Sequence, residues 1–146
     1  MTTPHVSTGS TVGVSAVLPS TLTRSAFDAL AYTPVRGVRV LSSLGKSYQT
    51  APFHPIGAAV PYQRRVAQAA ASLPLEMYRL VDPGQVLLRA ALDSESSFSF
   101  RVTVPGFGHH YFTARASSRM LGIGGGTDIA VSSVALEIDS PVFEPP

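Results

Sequence analysis

The chain has no cysteine, no tryptophan and a single lysine, Lys46. Without cysteine there can be no disulfide, no thiol nucleophile and no zinc–thiolate site. Charge is scarce too: Asp, Glu, Lys and Arg make up 14% of the 146 residues, against about a quarter in an ordinary soluble domain. A chain so short of charge must hide much of its surface, either within itself or within an assembly. No apolar run approaches the length of a helical membrane span. The opening MTTPHVSTGS lacks the basic-then-apolar order of a secretory signal, so a soluble intracellular chain is expected. The formal net charge of +2 is too small to argue for nucleic-acid binding.

What is present favours strands. Twelve Gly and twelve Pro punctuate the chain, and between them apolar residues alternate with period two. Residues 1–9 read as a polar arm, and residues 10–146 as one domain, a length that a single core accommodates. Val12, Val14, Ala16 and Leu18 would share one strand face. Ser25 would cap a short helical turn with Asp28 three residues on, and a second strand would place Val38, Val40 and Leu44 together.

The segment at about 49–65, QTAPFHPIGAAVPYQRR, carries Pro52, Pro55 and Pro61 and therefore reads as a long loop. Phe53, Ile56, Val60 and Tyr62 give it apolar anchors for docking. Val66–Leu80 reads as a strand with Leu73, Leu75 and Met77 on one face. A helix is predicted at about 82–92, with Asp82 as N-cap, Pro83 in the first turn and Gln85 at capping-box spacing. Its apolar stripe would be Val86, Leu87, Ala90 and Ala91.

Three strands follow. Phe98, Phe100, Val102 and Val104 line one face of the first. Phe112, Ala114, Ala116 and Met120 oppose Tyr111, Thr113, Arg115 and Arg119 in the second, and Val134, Leu136 and Ile138 point inward from the third. The pattern predicts a mainly β fold, a β-sandwich with one flanking α-helix.

Chemical motifs fail when tested. Gly45–Ser47 reads GKS, but the first glycine of a phosphate loop would fall at Val40, and Pro52 and Pro55 forbid the helix that should follow. Gly122, Gly124, Gly125 and Gly126 lie between two alternating segments, which predicts a strand–loop–strand link. His109 and His110 are adjacent on a strand and point to opposite faces, so they cannot readily share a metal. No base, nucleophile and oxyanion site assemble. Neither an enzyme nor a cofactor is expected. Arg101, Arg115 and Arg119 fall on the polar faces of neighbouring strands, as a solvated face or one that meets another subunit or passing DNA.

The order of these segments resembles the tail tube (major tail) proteins of long-tailed bacteriophages. STVGVSAVLPSTLTRSAFDALAYTPVRGVRVLSSLGKSY is similar to the family's opening strand, helical turn and second strand. FHPIG falls where the family carries a long loop, DPGQVLLRAAL resembles its helix, and FSFRVTVPGFGHHYFTARA its paired strands. VSSVALEIDSPV resembles its last strand.

The resemblance implies a structural virion protein of the phage tail, assembled in the host cytoplasm. Hexameric rings would stack into a tube that conducts DNA without binding it specifically. Partners would be further copies, the tape measure protein, and tail terminator or tip proteins, with no membrane. Assembly contacts would come from Phe53, His54, Pro55, Ile56, Gly57, Tyr62, Arg64, Arg65 and the turn at Gly124, Gly125 and Gly126. Arg101, Arg115 and Arg119 would face the lumen or an interface, and most arginines would pair with carboxylates across interfaces. A tube of a contractile injection machine shares the architecture. The alternative class is a monomeric β-sandwich module for carbohydrate or receptor binding, which the absence of Trp disfavours.

Overall fold

Alternation is strongest in β7 (Phe98–Val104), β8 (Gly108–Gly122) and β9 (Val131–Ile138), and these three form the middle of a seven-stranded sheet. The computed structural model describes residues 8–41, 44, 47–69 and 71–145. Most of the expected arm, and Gly45 and Lys46 of the GKS segment, lie outside the described residues. Sheet order is β2-β1-β7-β8-β9-β6-β3, with β1 at Thr11–Ser15, β2 at Thr33–Val35, β3 at Val38–Leu41 and β6 at Ala71–Tyr78. Every pairing is antiparallel. The long β8 joins the two halves: residues 108–114 pair with β7, and residues 114–122 pair with β9. The fold is mainly β as expected, with these seven strands in one continuous sheet and a two-stranded ribbon apart from it.

One face of that sheet gathers a single core. Val12, Val14, Leu73, Leu75, Met77, Phe98, Phe100, Val102, Phe112, Ala114, Ala116, Val134 and Leu136 all join it. Helix α2 (Pro83–Ser94) lies over this face and adds Leu88 and Ala91. The buried helix residues are Gly84, Leu88 and Ala91, an i, i+4, i+7 stripe. The expected stripe was rotated from this one, since Val86 is 59% exposed. Asp82 stands at the N-cap but makes no cap hydrogen bond with its side chain. Its Oδ2 accepts from the Arg36 backbone N–H at 3.1 Å. Gln85 likewise leaves the capping box and donates to the Arg36 and Tyr78 carbonyls. Both side chains stitch the helix start to neighbouring chain rather than to its own amides.

Gly84 permits this close seating. A Cβ there would lie 2.3 Å from the Pro34 carbonyl oxygen and 2.7 Å from Val35 Cα. Those are backbone atoms and cannot swing away. Alanine gains about 1 kcal/mol of helix propensity, but overpacking costs about 1–3 kcal/mol. Gly84→Ala is therefore expected to lower the urea midpoint, and an unchanged or raised midpoint would refute the close seating.

The opposite face is covered by α1 (Arg24–Asp28) and the C-terminal segment. Thr23, not Ser25, is the α1 N-cap: its hydroxyl accepts from the Ala26 N–H at 3.4 Å. Phe27 is fully buried and stacks on Tyr111 at 5.6 Å, with Phe143 tilted against it at 5.4 Å. Tyr111 and Phe143 exchange backbone hydrogen bonds, which ties the C-terminal segment beside β8.

Four further expectations change. β1 ends at Ser15, leaving Val17 and Leu18 exposed. A bulge between Val38 and Val40 turns Val40 outward, so Leu41 packs inward instead. The strand expected over Val66–Leu80 is two elements, because Val66 belongs to β5 (Tyr62–Gln68) and Leu73 to β6. Finally, the segment at 49–65 is only in part a loop, at residues 54–61. It forms an antiparallel hairpin of β4 (Tyr48–Phe53) and β5. Both strands of a two-stranded ribbon have a free outer edge, where a proline need not break a ladder.

Candidate assembly surfaces

The hairpin is the most exposed element of the chain. Every residue of β4 and β5 is exposed, and the ribbon forms a sheet of its own. Its apolar side chains nonetheless organise. Phe53 stacks on Tyr62 across the ribbon at 5.7 Å, and the Arg65 guanidinium sits 4.1 Å over the Tyr48 ring. At the tip, His54 Nε2 lies 2.7 Å from the Ala58 carbonyl, while Ile56 protrudes without cover. Pro55 and Gly57 shape that turn, whose backbone closes from the Ala58 N–H to the Pro55 carbonyl at 3.0 Å. Arg64 pairs in register with Ala51. A two-stranded hairpin is at best marginally stable in water, and exposed apolar residues on free strand edges favour association.

A second exposed apolar surface lies at the β8–β9 turn. Gly124 adopts φ of +69°, a conformation that glycine reaches without steric cost. Asp128 closes the turn, accepting from the Gly125 N–H at 2.7 Å and donating its own N–H to the Gly125 carbonyl at 3.0 Å. A Cβ on Gly126 would meet nothing within 4 Å. Ile123 and Ile129 flank these glycines, both exposed, with Met120 nearby in sequence. No helix follows the glycines, so the phosphate-loop geometry is absent there.

The three arginines expected on one polar face divide. Arg101 lies 4.8 Å over the Tyr32 ring, and Arg115 Nε approaches Asp139 Oδ2 at 3.7 Å and Ser97 Oγ at 3.2 Å. Both belong to the α1 side of the sheet. Arg119 does not. The register shifts between Ala116 and Ser118, so Arg119 pairs with Val134 while Met120 pairs with Ser133. Val134 points into the core, and the bulge therefore carries Arg119 to the α2 side and Met120 outward. Bulges re-aim side chains in this way.

The α1 side also holds a polar cluster. Tyr111 donates its hydroxyl to Asp28 Oδ1, and Tyr32 donates to the Phe27 carbonyl at 3.0 Å. Burial raises the pKa of both phenols above the ordinary tyrosine value, and the Asp28 carboxylate raises Tyr111 further. Arg24 reaches over Tyr111 and donates to the His109 carbonyl at 2.9 Å. These groups fasten α1 to the sheet. His109 Nδ1 lies 2.7 Å from Thr103 Oγ1. His110 lines a separate cleft of about 530 Å³ with Val38, Leu41 and Val104. Among the described residues no three His, Cys, Asp or Glu side chains group as a metal site.

Sequence reasoning missed the exposed apolar residues Leu80 and Val81 ahead of α2, and Arg79 and Arg89 beside Arg119. The only signal was a set of residues whose faces depend on register.

No family model and no curated protein matches the sequence. Solved structures do match in fold. A chain from the tail of an empty GTA particle, obtained by helical refinement with C6 symmetry, gives a TM-score of 0.70 at 12% identity over 93% of this chain and 95% of that one. The SPP1 tail tube gives 0.70 at 12% identity, over 97% of this chain and 80% of that one. A chain from the PVC sheath/tube terminator, part of an extracellular contractile injection system in its extended state, gives 0.69 at 15% identity, covering 99% of each. At these identities the shared property is the fold, and that fold is the one expected from the sequence.

Proposed function

We propose that the chain is a structural tail tube subunit, which polymerises as stacked hexameric rings into the conduit of a phage-like tail. One observation carries the reading: nearly the whole chain shares its fold with a tail chain refined in C6 symmetry. Physical chemistry points the same way. An exposed two-stranded ribbon bearing Phe53, Ile56 and Tyr62 is unfavourable in water and favourable against a neighbour. Low charge suits a molecule whose surface is largely covered by copies of itself. The role is one of conduit and spacer, with no catalytic step.

In this reading the hairpin and the turn at Gly124–Gly126 contact neighbouring subunits. Arg115 is exposed where a lumen or interface can reach it, whereas Arg101 is half-buried against Tyr32. DNA passes without specific binding, because each phosphate neutralised would add affinity and slow passage. Tape measure and terminator or tip proteins complete the partner set, in a particle assembled in the host cytoplasm.

Electron microscopy of the purified protein at high concentration is expected to show hollow filaments or hexameric rings. A chain that stays monomeric, alone and with other tail components, would overturn the proposal. The exposed Phe53–Tyr62 pair would then favour a monomeric carbohydrate or receptor-binding module.

A further inference from the structure

The charges of this chain do not balance within it. Every Asp and Glu lies among the described residues, yet only two ion pairs form there, Arg39–Glu76 and Arg115–Asp139. Asp28, Asp82, Asp128 and Glu137 accept hydrogen bonds inside the subunit. Asp93, Glu95 and Glu144 are exposed and meet no described partner. On the basic side, Arg79, Arg89 and Arg119 line one cleft between α2 and strands β6, β8 and β9, and no carboxylate shares its lining. Three like charges on the lining of one cleft disfavour one another.

The cleft has room for about 30 Å³, enough to seat a water-sized group. That admits one anionic group, and a nucleic-acid strand could only lie across its mouth. Arg119 is present only because the bulge at Ser117 turns it to the helix side. An arginine so re-aimed and left without a carboxylate marks a place prepared for an anion.

The free acids also stand in an unfavourable place. Asp93 falls in the last turn of α2 and Glu95 at its C-cap, with no basic residue in that turn. A helix C-terminus carries partial negative charge, so carboxylates there are destabilised unless a cation approaches. The helix's own cation, Arg89, stands one turn before Asp93 but forms no ion pair with it and lines the cleft instead.

We infer that the Arg79–Arg89–Arg119 cleft of one copy meets the acidic end of α2, Asp93 and Glu95, of the next, with one carboxylate seated among the arginines and the other beside them. The cleft and the acidic helix end are different patches on the same subunit. The contact is therefore heterologous, the type that closes rings or winds helices. The inference rests on the self-assembly proposed above, but it assigns that assembly a specific charged joint. Arg is suited to it, since its fork binds carboxylates in bidentate fashion.

Two charge-reversed chains test it. R89E/R119E makes the cleft acidic and leaves the acidic helix end; D93K/E95K makes the helix end basic and leaves the basic cleft. Each alone sets like charges face to face and is expected to raise the critical concentration for assembly about tenfold or more. An equimolar mixture restores opposite charges at every alternating contact and should assemble near the wild-type concentration. Circular dichroism checks that both chains are folded, and R89Q/R119Q provides a milder variant with the same direction of effect.

Wild-type tubes together with unaffected reversed chains, or with a mixture no better than either chain alone, would overturn the joint and leave the tube reading standing. A wild-type chain that never associates would overturn both. If R89E/R119E assembles normally but no longer retains duplex DNA that the wild type retains, the cleft serves phosphates and the joint is refuted.

Discussion

Replacing residues 49–67 with two glycines is expected to leave a folded monomer with an unchanged melting temperature and to abolish tube formation. The monomer should tolerate the deletion because the ribbon forms its own sheet. Its roots are already adjacent: the Ala69 N–H donates to the Ser47 carbonyl at 2.8 Å, so two glycines can close the gap. Changes at exposed positions usually stay within about 0.5 kcal/mol, and shortening a loop reduces its closure entropy slightly. Assembly should not tolerate it. Phe53, Ile56 and Tyr62 are the ribbon's apolar anchors, and buried anchors of this type are worth about 2 kcal/mol or more each. Losing three weakens each contact by about four powers of ten, at about 1.4 kcal/mol per tenfold change. Sedimentation and electron microscopy read the assembly, and thermal denaturation reads the monomer. A deletion variant that still forms tubes removes the ribbon from the assembly contacts. One that unfolds shows that the ribbon braces its own subunit, which its exposure argues against.

The strands at the centre of the fold were legible because their alternation is uninterrupted. Phe98, Phe100 and Val102 in β7, and Val134 and Leu136 in β9, are buried as the period-two pattern requires. Legibility ended at the bulges. One inserted residue inverts every face beyond it, which is why Met120, read as inward, is 69% exposed. No local residue type at Ser117 announces the shift. The α2 stripe was misread for a different reason: its first member is Gly84, which has no side chain for a hydrophobic count to register. The hairpin was hidden by its prolines, which argue correctly against a central strand and say nothing against a two-stranded ribbon.

The candidate surfaces were legible to the extent that they are local in sequence. Residues 53–65 share one ribbon, and Gly124–Gly126 share one turn, so the chain order itself collects them. The arginine cleft could not be read. Arg79, Arg89 and Arg119 come from a strand exit, a helix and a strand beyond a bulge. Only the folded topology brings them to one place. Nothing in the sequence around them separates these three from the other arginines, and Arg89 even has Asp93 four residues on.

Phe112→Ala is expected to lower the stability of the subunit by about 4–6 kcal/mol, an effect opposite in kind to that of the hairpin deletion. Phe112 and Phe100 are both fully buried, and their rings stack at 5.5 Å with an interplanar angle of 12°. They stand opposite one another in register, with Val14 paired to Phe100 from the other side. Truncating such a phenylalanine costs about 3–5 kcal/mol, and losing the stacked pair adds about 1 kcal/mol. A domain of this size has about 5–15 kcal/mol to lose, so the variant gives up a large share of its stability and, at the low end of that range, all of it. Phe112→Leu keeps most of the volume and should recover much of the loss, because the deficit is chiefly the cavity. Assembly acts on the same equilibrium. The proposed tube would bind only the folded subunit and so stabilise it by mass action. Phe112→Ala should accordingly appear less damaged in preformed tubes than in dilute monomer, as read by urea denaturation at two protein concentrations. Equal midpoints in the two samples would mean that association contributes nothing to the stability of the fold.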